Sequence, residues 1–342
     1  MVSLPAQTPQ LPLALPCAIA FDQQGNLYVA DAAAHVVREV SSAGAVSIVA
    51  GTGVQGFAGD GGQATAAQLD SPMGLAVDAS GSLYISDTHN QRIRKISATG
   101  VITTIAGTGA AGFSGDGGSA KAATFSRPTA LALDSAANLY VADTGNHRIR
   151  KVDAVNGGIT TVVGKGVQGF AGDSQSALSA LLDSPYGIAV DASGNLYIAD
   201  THNGRIRRVA AATGVVTSVA GNGELGSTGD GGAATSAALA FPRGVQVEAD
   251  GSVYIADTAN HRIRHISPTG TISTVAGGAA QGFSGDGGVS TAAALDSPNA
   301  VAVSPAGLVT LSDAANRRIR QIDSATGEIE SLPRLSTTPS PA

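Results

Sequence analysis

The sequence has few of the features that usually reveal a compartment or a chemistry. It contains a single cysteine, Cys17, which excludes an intramolecular disulfide. It has no run of eighteen apolar residues, so no transmembrane helix is predicted. Residues 1–14 lack the cationic start and long apolar core of a signal peptide, and we interpret them as an N-terminal extension. Residues 333–342, rich in Ser, Thr and Pro, are interpreted as a flexible tail.

Charged residues are also scarce, at 13% of the chain, and the formal net charge is −6. Most of the acidic residues and more than half of the basic residues recur at fixed positions of an internal repeat, which indicates a structural role. Because the arginines are used in this way, no basic stripe remains for nucleic acid. The sequence therefore predicts no nucleic-acid partner, no membrane span and a monomeric chain.

The internal repeat is the strongest signal in the sequence. A phrase of the type Leu-Tyr-Ile-Ala-Asp recurs six times, about every 56 residues, which is typical of a repeat architecture. The phrase ends at Asp31, Asp87, Asp143, Asp200, Asp257 and Asp313. A proline keeps step with these aspartates at Pro16, Pro72, Pro128, Pro185, Pro242 and Pro298.

Each repeat contains four strand-sized runs separated by turn residues. In the second copy the runs are Gly74–Asp78, Leu83–Ser86, Arg92–Ile96 and Val101–Ala106, and glycines in the turns favour hairpins. Six such units predict an all-β fold, a six-bladed β-propeller with four antiparallel strands per blade. The propeller is expected to span residues 15–332, with blades starting near residues 16, 72, 128, 185, 242 and 298. The alternative, a β-solenoid, usually has shorter repeats.

The phrases ADTGNHRIRKV, ADTHNGRIRRV and ADTANHRIRHI, at residues 142–152, 199–209 and 256–266, resemble the NHL repeat. The long linkers of the form AGTGxxGFxGDGGxA resemble the bacterial and teneurin-like branch of that family. The resemblance covers residues 15 to about 332 and implies a six-bladed propeller. It says less about activity, because related propellers serve as protein-binding, RNA-binding, sensor and enzyme domains.

The closure of the ring follows from where the copies start and stop. Copy one begins with its first strand at Pro16, and copy six supplies all four of its own strands. We therefore predict six blades that share no strand and are closed by packing of blade six on blade one. A structure in which residues 2–12 form the outer strand of the last blade would contradict this prediction.

Repeating aspartates and arginines predict a structural ring of ion pairs, because a planar guanidinium can hold a carboxylate bidentately. The expected partners of the six strand-end aspartates are Arg38, Arg94, Arg150, Arg207, Arg264 and Arg320. A second set, present in five copies, is Arg92, Arg148, Arg205, Arg262 and Arg318.

The Gly-Asp loops of the linkers have a functional and a structural interpretation. Their aspartates are Asp60, Asp116, Asp173, Asp230 and Asp286. Calcium usually takes several carboxylates from one loop, whereas each of these loops has one, and a phosphate loop would need a lysine and a helix. We favour an Asx turn, in which the carboxylate accepts hydrogen bonds from nearby backbone N–H groups.

Histidines do not favour a metal site or a cofactor. Four of the six occupy equivalent loop positions on separate blades, so they lie on a wide circle and do not converge. Some NHL-like propellers are lyases whose metal is held by axial histidines, but this chain has no histidine at the axial strand positions. No Ser-His-Asp order is present either. The sequence therefore favours a protein without enzymatic activity, and the alternative is a lyase or lactonase-type hydrolase that uses an axial metal.

One position per blade varies although its neighbours are nearly constant. It follows the repeating proline, close to the mouth of the channel, and is occupied by Cys17, Met73, Thr129, Tyr186, Arg243 and Asn299. Such a mixed ring suits small-molecule or peptide recognition, although free drift of an exposed position also explains it. We predict a non-catalytic binding propeller for a protein, peptide or carbohydrate ligand, from a secreted or envelope-exposed bacterial protein. A structural spacer in a longer chain is a further alternative.

Overall fold

Runs of Val, Ile, Leu and Tyr between glycine-containing turns form the strands, as the sequence predicts. The computed structural model describes residues 13–278 and 280–332, which form six antiparallel sheets, one for each repeat. Each repeat contributes four main strands to its sheet, named a to d in chain order. Strands a of neighbouring blades contact each other around the axis, so the fold is an all-β, six-bladed propeller.

The strands of the first three blades, in the order a to d, are Pro16–Phe21, Leu27–Asp31, Val36–Val40 and Val46–Ala50; Pro72–Val77, Leu83–Asp87, Arg92–Ile96 and Ile102–Ala106; Pro128–Leu133, Leu139–Asp143, Arg148–Val152 and Ile159–Val163. Those of the last three blades are Pro185–Val190, Leu196–Asp200, Arg205–Val209 and Val215–Ala220; Pro242–Val247, Val253–Asp257, Arg262–Ile266 and Ile272–Ala276; Pro298–Val303, Val309–Asp313, Arg318–Ile322 and Glu328–Ser331.

Short elements outside these sheets belong to the b–c loops and the linkers between blades. Two-residue strands add a fifth strand to the outer edges of blades four and six, at Gln175–Ser176 and Gly288–Val289. Single-turn 3-10 helices in the b–c loops are Ala32–Ala34, Thr88–Asn90, Thr144–Asn146, Thr201–Asn203 and Thr258–Asn260. Those in the linkers are Ala64–Ala66, Ala120–Ala122, Ala177–Ser179, Ala234–Ser236 and Ser290–Ala292. None of the described helices is long and apolar enough to span a bilayer.

Each strand a starts opposite the aspartate that ends strand b. Pro72 pairs with Asp87, and Pro185 pairs with Asp200, and in each case the register shifts immediately afterwards. The residue after the proline therefore lies at an irregularity of the ladder, at one end of the central channel. The fold thus fixes the place of the variable position.

The apolar core consists of six clusters, each lying between two neighbouring blades. Between blades one and two, Val37, Ile85 and Ile102 pack around Leu69 of the linker, and all four are fully buried. Burial of apolar side chains on both faces of each sheet is the main stabilising contribution, at about 25 cal/mol per Å². It explains why the strands do not alternate between apolar and polar residues.

The linkers connect each blade to the outer edge of the next blade. Between blades one and two, Gly61 N–H donates to Ile102 O at 2.8 Å, and Ile102 N–H donates to Gly62 O at 3.0 Å. Ala64 N–H donates to Gly100 O at 2.8 Å, in the c–d turn of blade two. Equivalent hydrogen bonds hold the linkers on blades three to six, so five outer strands are covered.

The seam between blades six and one is made by side chains. Leu13, Ile19 and Val29 pack against Ala302 and Ile319 in one buried cluster. Within residues 13–278 and 280–332, no strand is shared by these two blades, in agreement with the predicted closure. Residues 2–12 lie outside the described residues, so their part of that prediction stays a prediction. The same holds for the tail at 333–342 and for the extension, apart from its last two residues.

Amide hydrogen exchange will distinguish the outer strand of blade one, which none of residues 13–278 and 280–332 covers, from the other outer strands. We expect the Val46 amide to exchange at least about tenfold faster than the Ile102 amide. The reason is that Ile102 N–H is bonded to the linker, whereas no described residue accepts a hydrogen bond from Val46 N–H. Ile159 N–H, which donates to Gly118 O at 3.0 Å, is the matched slow control. Equal protection of all three amides would contradict this reading of the edge.

Candidate functional site

The predicted aspartate–arginine ring is present as the internal frame of every blade. In blade two, Arg94 Nη1 lies 3.1 Å from Asp87 Oδ2, and both side chains are fully buried. The corresponding ion pairs occur in the other five blades, at 3.2–3.9 Å. Asp87 also accepts hydrogen bonds from Asp70 N–H at 2.7 Å and from Asn90 Nδ2 at 2.8 Å. Each strand-end aspartate thereby fixes the chain that enters strand a.

The interpretation of the Gly-Asp loops as Asx turns is wrong. Asp60 Oδ1 accepts from Arg94 Nε at 3.0 Å and from Arg94 Nη2 at 2.7 Å. Asp116, Asp173, Asp230 and Asp286 lie 2.7 Å from the arginines of their blades in the same way. The loop carboxylates are therefore the second partners of the buried arginines, supplied across the blade boundary.

Arg92, in the second set of arginines, makes other contacts than the predicted pairing with a strand-end aspartate. Arg92 donates to Gly107 O at 3.0 Å and to Thr108 O at 2.5 Å. Its guanidinium carbon lies 4.1 Å from the centre of the Phe57 ring. Arg92 therefore bonds the first carbonyl oxygens of the linker that follows blade two and stacks on a phenylalanine of the linker that precedes it.

The loop histidines have structural roles. His147 Nδ1 accepts a hydrogen bond from Ser184 N–H at 3.0 Å, and His261 Nδ1 accepts from Ser297 N–H at 3.0 Å. Each bond connects the b–c loop of one blade to the entry of strand a in the next. Among residues 13–278 and 280–332, no group of three or more His, Cys, Asp or Glu side chains is placed to hold a metal ion.

The variable residues lie where the sequence places them, around one end of the channel. Five of the six line an axial cavity of about 290 Å³: Cys17, Met73, Tyr186, Arg243 and Asn299. Thr129 is the exception, because its side chain is buried between blades. Its hydroxyl donates to the carbonyl oxygen of Tyr186 at 2.8 Å and lies 2.6 Å from the Thr144 hydroxyl. The structure thus brings five candidates together and assigns Thr129 to the scaffold.

Tyr186 and Arg243 dominate the channel mouth. The Tyr186 hydroxyl donates across the mouth to Met73 Sδ at 3.6 Å. The guanidinium carbon of Arg243 lies 5.0 Å from the centre of the Tyr186 ring. Arg243 Nη1 donates to Asn299 Oδ1 at 3.1 Å, which orients the guanidinium within the mouth.

Of the five variable residues that line the cavity, Arg243 is the charged one at neutral pH. Burial raises the pKa of the Cys17 thiol to about 11 and the pKa of the Tyr186 hydroxyl to about 12, so both are protonated. Arg243 stays charged, and none of the ion pairs formed by the described residues involves it. Its Nε is buried and has no hydrogen-bond partner. The mouth is therefore a cationic pocket with neutral polar neighbours.

The repeat pattern, the propeller and the linkers can now be compared with known proteins. Residues 125–152 and 182–209 match the NHL repeat, and residues 49–112 and 223–281 match the Teneurin NHL domain. The chain belongs to the NHL-repeat family. The NHL matches cover strands a to c of blades three and four, and the Teneurin NHL matches cover blades two and five with the linkers before them.

Two curated relatives share this NHL propeller at moderate identity. Human Teneurin-1 is 34% identical over 252 residues, which cover 64% of this chain and 9% of Teneurin-1. Protein SUPPRESSOR OF QUENCHING 1, chloroplastic, from Arabidopsis thaliana is 30% identical over 278 residues, covering 77% of this chain and 26% of the relative. The chain therefore spans only a small part of the length of these relatives.

Solved structures with the same propeller fold include proteins of different kinds. A streptogramin B lyase superposes with a TM-score of 0.55 at 16% identity, covering 96% of this chain and 85% of the lyase. An auxiliary nutrient binding protein from Bacteroides thetaiotaomicron gives a TM-score of 0.65 at 18% identity, covering 93% and 69%. A gluconolactonase from Xanthomonas campestris gives a TM-score of 0.57 at 14% identity, covering 87% of this chain and 83% of the gluconolactonase. At these identities the likeness shows the fold alone.

Sequence reasoning missed two residues at the rim of the NHL propeller's channel. Arg127 and Phe241 precede the prolines of blades three and five, and both are exposed. Three other blades have serine at this position: Ser71, Ser184 and Ser297. The sequence does show that these two residues depart from a repeated serine, one residue before the proline and two before the variable position. Phe241 contacts the ring of His202 edge-on, with 5.6 Å between the ring centres.

Proposed function

We propose that this NHL propeller is a non-catalytic binding protein whose channel mouth receives the carboxylate of a peptide or carbohydrate ligand. The observation that carries the proposal is Arg243, a cation in the mouth with no ion-pair partner among the described residues and with a buried, unpartnered Nε. A carboxylate bound in the mouth would supply the counter-ion that the guanidinium lacks among the described residues.

The surroundings of Arg243 favour an anion over a cation. The Cys17 thiol and the Tyr186 hydroxyl are neutral because burial raises their pKa values to about 11 and about 12. Neither of these two groups therefore adds a negative charge at neutral pH. Asn299 accepts a hydrogen bond from Nη1 at 3.1 Å, which orients the guanidinium in the mouth. Charge-assisted hydrogen bonds of this kind are about twice as strong as neutral ones.

The rim supports a ligand that extends beyond its carboxylate. Arg127 is close enough to lower the pKa of Tyr186 against the effect of burial, so it adds positive potential at the mouth. Phe241 is 37% exposed and offers an apolar surface one blade further round. The arc from Arg127 to Asn299 breaks the six-fold symmetry, which recognition of an asymmetric ligand requires.

A lyase or lactonase-type hydrolase is the second candidate, because proteins named as a lyase and a gluconolactonase share the fold. Elemental analysis of the purified protein distinguishes the two candidates. A stoichiometric transition metal would favour the enzyme. A structural spacer becomes the better description if no ligand binds. A bacterial source, a secreted location and a monomeric state stay predictions; one relative is named as chloroplastic.

The binding proposal predicts the loss of ligand in variants of the mouth. A panel of peptides with free and amidated C-termini, together with sugar acids and neutral sugars, is screened by isothermal titration calorimetry. We expect the carboxylate forms alone to bind, and the double variant Tyr186→Ala, Arg243→Ala to weaken binding by at least about 100-fold. Arg208→Met in strand c of blade four is the matched control and should leave binding unchanged. Undiminished binding in the double variant would move the site to the outer loops.

The pH dependence of binding follows from the pKa values of the mouth. Between pH 6 and pH 9 the dissociation constant should change by less than about twofold, because Arg243 stays protonated and the Cys17 and Tyr186 groups, with pKa values of about 11 and about 12, stay neutral. Above pH 10 the forming thiolate repels the ligand, so binding weakens. A transition near pH 7 in calorimetry would point to a histidine and contradict this assignment.

A further inference from the structure

The channel rim departs from the repeat at the junction of blades four and five. Gly204 ends the b–c loop of blade four, and Leu225 and Phe241 belong to the linker that leads to blade five. A Cβ atom on Gly204 would lie 3.0 Å from Leu239 O and 3.8 Å from the carbonyl oxygen that precedes Leu225, so loop and linker are in contact. Arg243 of the mouth follows Phe241 by two residues. We call Gly204, Leu225 and Phe241 the junction site.

The Phe241 N–H lacks the acceptor that the other junctions supply. At four equivalent junctions, the residue before the proline donates its N–H to the side chain that ends the preceding b–c loop. These bonds join Ser71 to His35 at 3.1 Å, Arg127 to Gln91 at 2.6 Å, Ser184 to His147 at 3.0 Å and Ser297 to His261 at 3.0 Å. Gly204 has no such side chain, and none of residues 13–278 and 280–332 accepts a hydrogen bond from Phe241 N–H. The junction therefore offers a free backbone donor.

The side chains of the junction site are apolar where other linkers are polar. Leu225 is 60% exposed and Phe241 is 37% exposed. In three linkers the equivalent of Leu225 is a glutamine that donates to an aspartate at 3.0–3.1 Å: Gln55 to Asp70, Gln168 to Asp183 and Gln281 to Asp296. That aspartate is replaced by Ala240, and the serine that follows it is replaced by Phe241. This surface therefore lacks the side-chain hydrogen bonds that sugar hydroxyls require.

Phe241 lies within reach of a ligand that is bound to Arg243. The two residues are separated by one proline, so their Cα atoms are at most about 7 Å apart, which is the span of two residues of an extended peptide. The Phe241 ring contacts His202 edge-on, and His202 Nδ1 in turn lies 3.3 Å from Asp183 Oδ1. One short peptide can therefore contact the cation and the apolar surface together.

We propose that the ligand of the mouth is a peptide with a free C-terminus and a large apolar side chain at its last residue. This inference rests on the binding function proposed above. The terminal carboxylate pairs with Arg243, the apolar side chain packs on Phe241 and Leu225, and a backbone carbonyl oxygen accepts from Phe241 N–H. A sugar acid pairs with Arg243 but leaves its hydroxyl groups against an apolar surface. Glu224, exposed beside Leu225, disfavours an acidic last side chain.

Matched peptides test the preference in isothermal titration calorimetry with the full chain. The probes are N-acetylated Gly-Ser-Gly-Ala-Leu and Gly-Ser-Gly-Ala-Ser with free C-termini, the C-terminal amide of the first peptide, and glucuronate. We expect the leucine acid to bind at least about tenfold more tightly than the serine acid and glucuronate, because it alone buries a large apolar side chain. The amide should not bind. Equal binding of the three acids would overturn this inference but not the proposed function, whereas both are wrong if no acid binds.

A variant that restores the repeat tests the free backbone donor. Gly204→His supplies the acceptor of the other junctions, and the φ of 58° at Gly204 matches the 53–55° of His35, His147 and His261. It should weaken binding of the leucine acid by at least about tenfold, because the new side chain occupies Phe241 N–H. His35→Gln, at the opposite junction of the ring, is the matched control and should leave binding unchanged, since Gln91 fills this role in blade two.

A second variant tests the apolar surface and leaves Arg243 in place. The double variant Leu225→Gln, Phe241→Ser carries the residues of the other linkers and should bind the leucine and serine acids equally. Circular dichroism confirms that each variant is folded. Full affinity for the leucine acid in Gly204→His, or a retained preference for leucine in the double variant, would overturn the proposal.

Discussion

Replacing Asp200 with alanine should lower the free energy of unfolding by about 3–5 kcal/mol, because it leaves a buried guanidinium without its buried partner. Asp200 and Arg207 are both fully buried, with 3.2 Å between Oδ2 and Nη1. The same carboxylate accepts hydrogen bonds from Asp183 N–H at 2.8 Å and from Asn203 Nδ2 at 2.9 Å. The variant therefore loses the ion pair with Arg207, the hydrogen bond that holds the linker at Asp183 and the hydrogen bond that holds the b–c loop at Asn203.

Chemical denaturation followed by circular dichroism measures this loss. The matched control is Asp173→Ala, which removes the other carboxylate of the same arginine. Asp173 is 36% exposed, so water replaces part of its interaction, and we expect a loss of about 1 kcal/mol or less. An Asp200→Ala protein with unchanged stability and lost ligand binding would show that this aspartate is functional and not structural.

Replacing Gly187 with alanine should be at least as damaging, with a loss of about 3 kcal/mol or more. Gly187 lies in strand a of blade four, where a Cβ atom would overlap with the carbonyl oxygen of Arg243 in blade five and lie 3.3 Å from Val245 N. Backbone atoms of a neighbouring innermost strand cannot move aside as a flexible side chain can. The two strands must separate, which also displaces Arg243 from the channel mouth.

Thermal and chemical unfolding test this effect, and calorimetry tests the accompanying loss of ligand. Blade three provides the matched control, because it has Ala130 at the equivalent position. Ala130→Gly removes one methyl group from a half-buried site and should cost about 1 kcal/mol. A fully stable Gly187→Ala protein would show that the innermost strands are less closely packed than the structure has them.

The strands and their number were predictable because the evidence for them is local. The run Leu83–Asp87 and its turn residues recur in the other copies, and six repetitions of a weak pattern make a strong one. The place of the variable position was also predictable, since the proline before it is fixed opposite Asp87 by the pairing of strands a and b.

The partners of the loop aspartates were not predictable, because they come from the next blade. Asp60 and Arg94 are 34 residues apart and meet only when the linker folds along the outer strand. An Asx turn needs only neighbouring residues, so the local sequence favoured it. In the fold, the carboxylate instead accepts hydrogen bonds from the buried guanidinium. The outer arginines, such as Arg92, were assigned to carboxylates because the sequence does not show which carbonyl oxygens lie beside them.

The candidate site was predictable in position and only partly in content. Met73 and Tyr186 are 113 residues apart, and the symmetry of the ring was enough to place them at one mouth. Thr129 was wrongly included in the site, because its hydroxyl is hydrogen-bonded to the Thr144 hydroxyl and to the Tyr186 carbonyl oxygen instead of facing the channel. Whether a side chain at this position turns to the axis or to its neighbour depends on packing that a repeat alignment does not contain.

The seam between blades six and one has a consequence for the order of folding. Each of the other interfaces joins blades about 56 residues apart, whereas strand a of blade one meets strand a of blade six across about 280 residues of chain. Bringing such distant segments together costs about 1.4 kcal/mol more in chain entropy than joining neighbouring blades. Blades are therefore expected to assemble first as a curved row, with each linker attaching the next blade. Ring closure is then the final and slowest step, and its rate should depend on Ile19 and Ile319, whose contact forms only when the circle is complete.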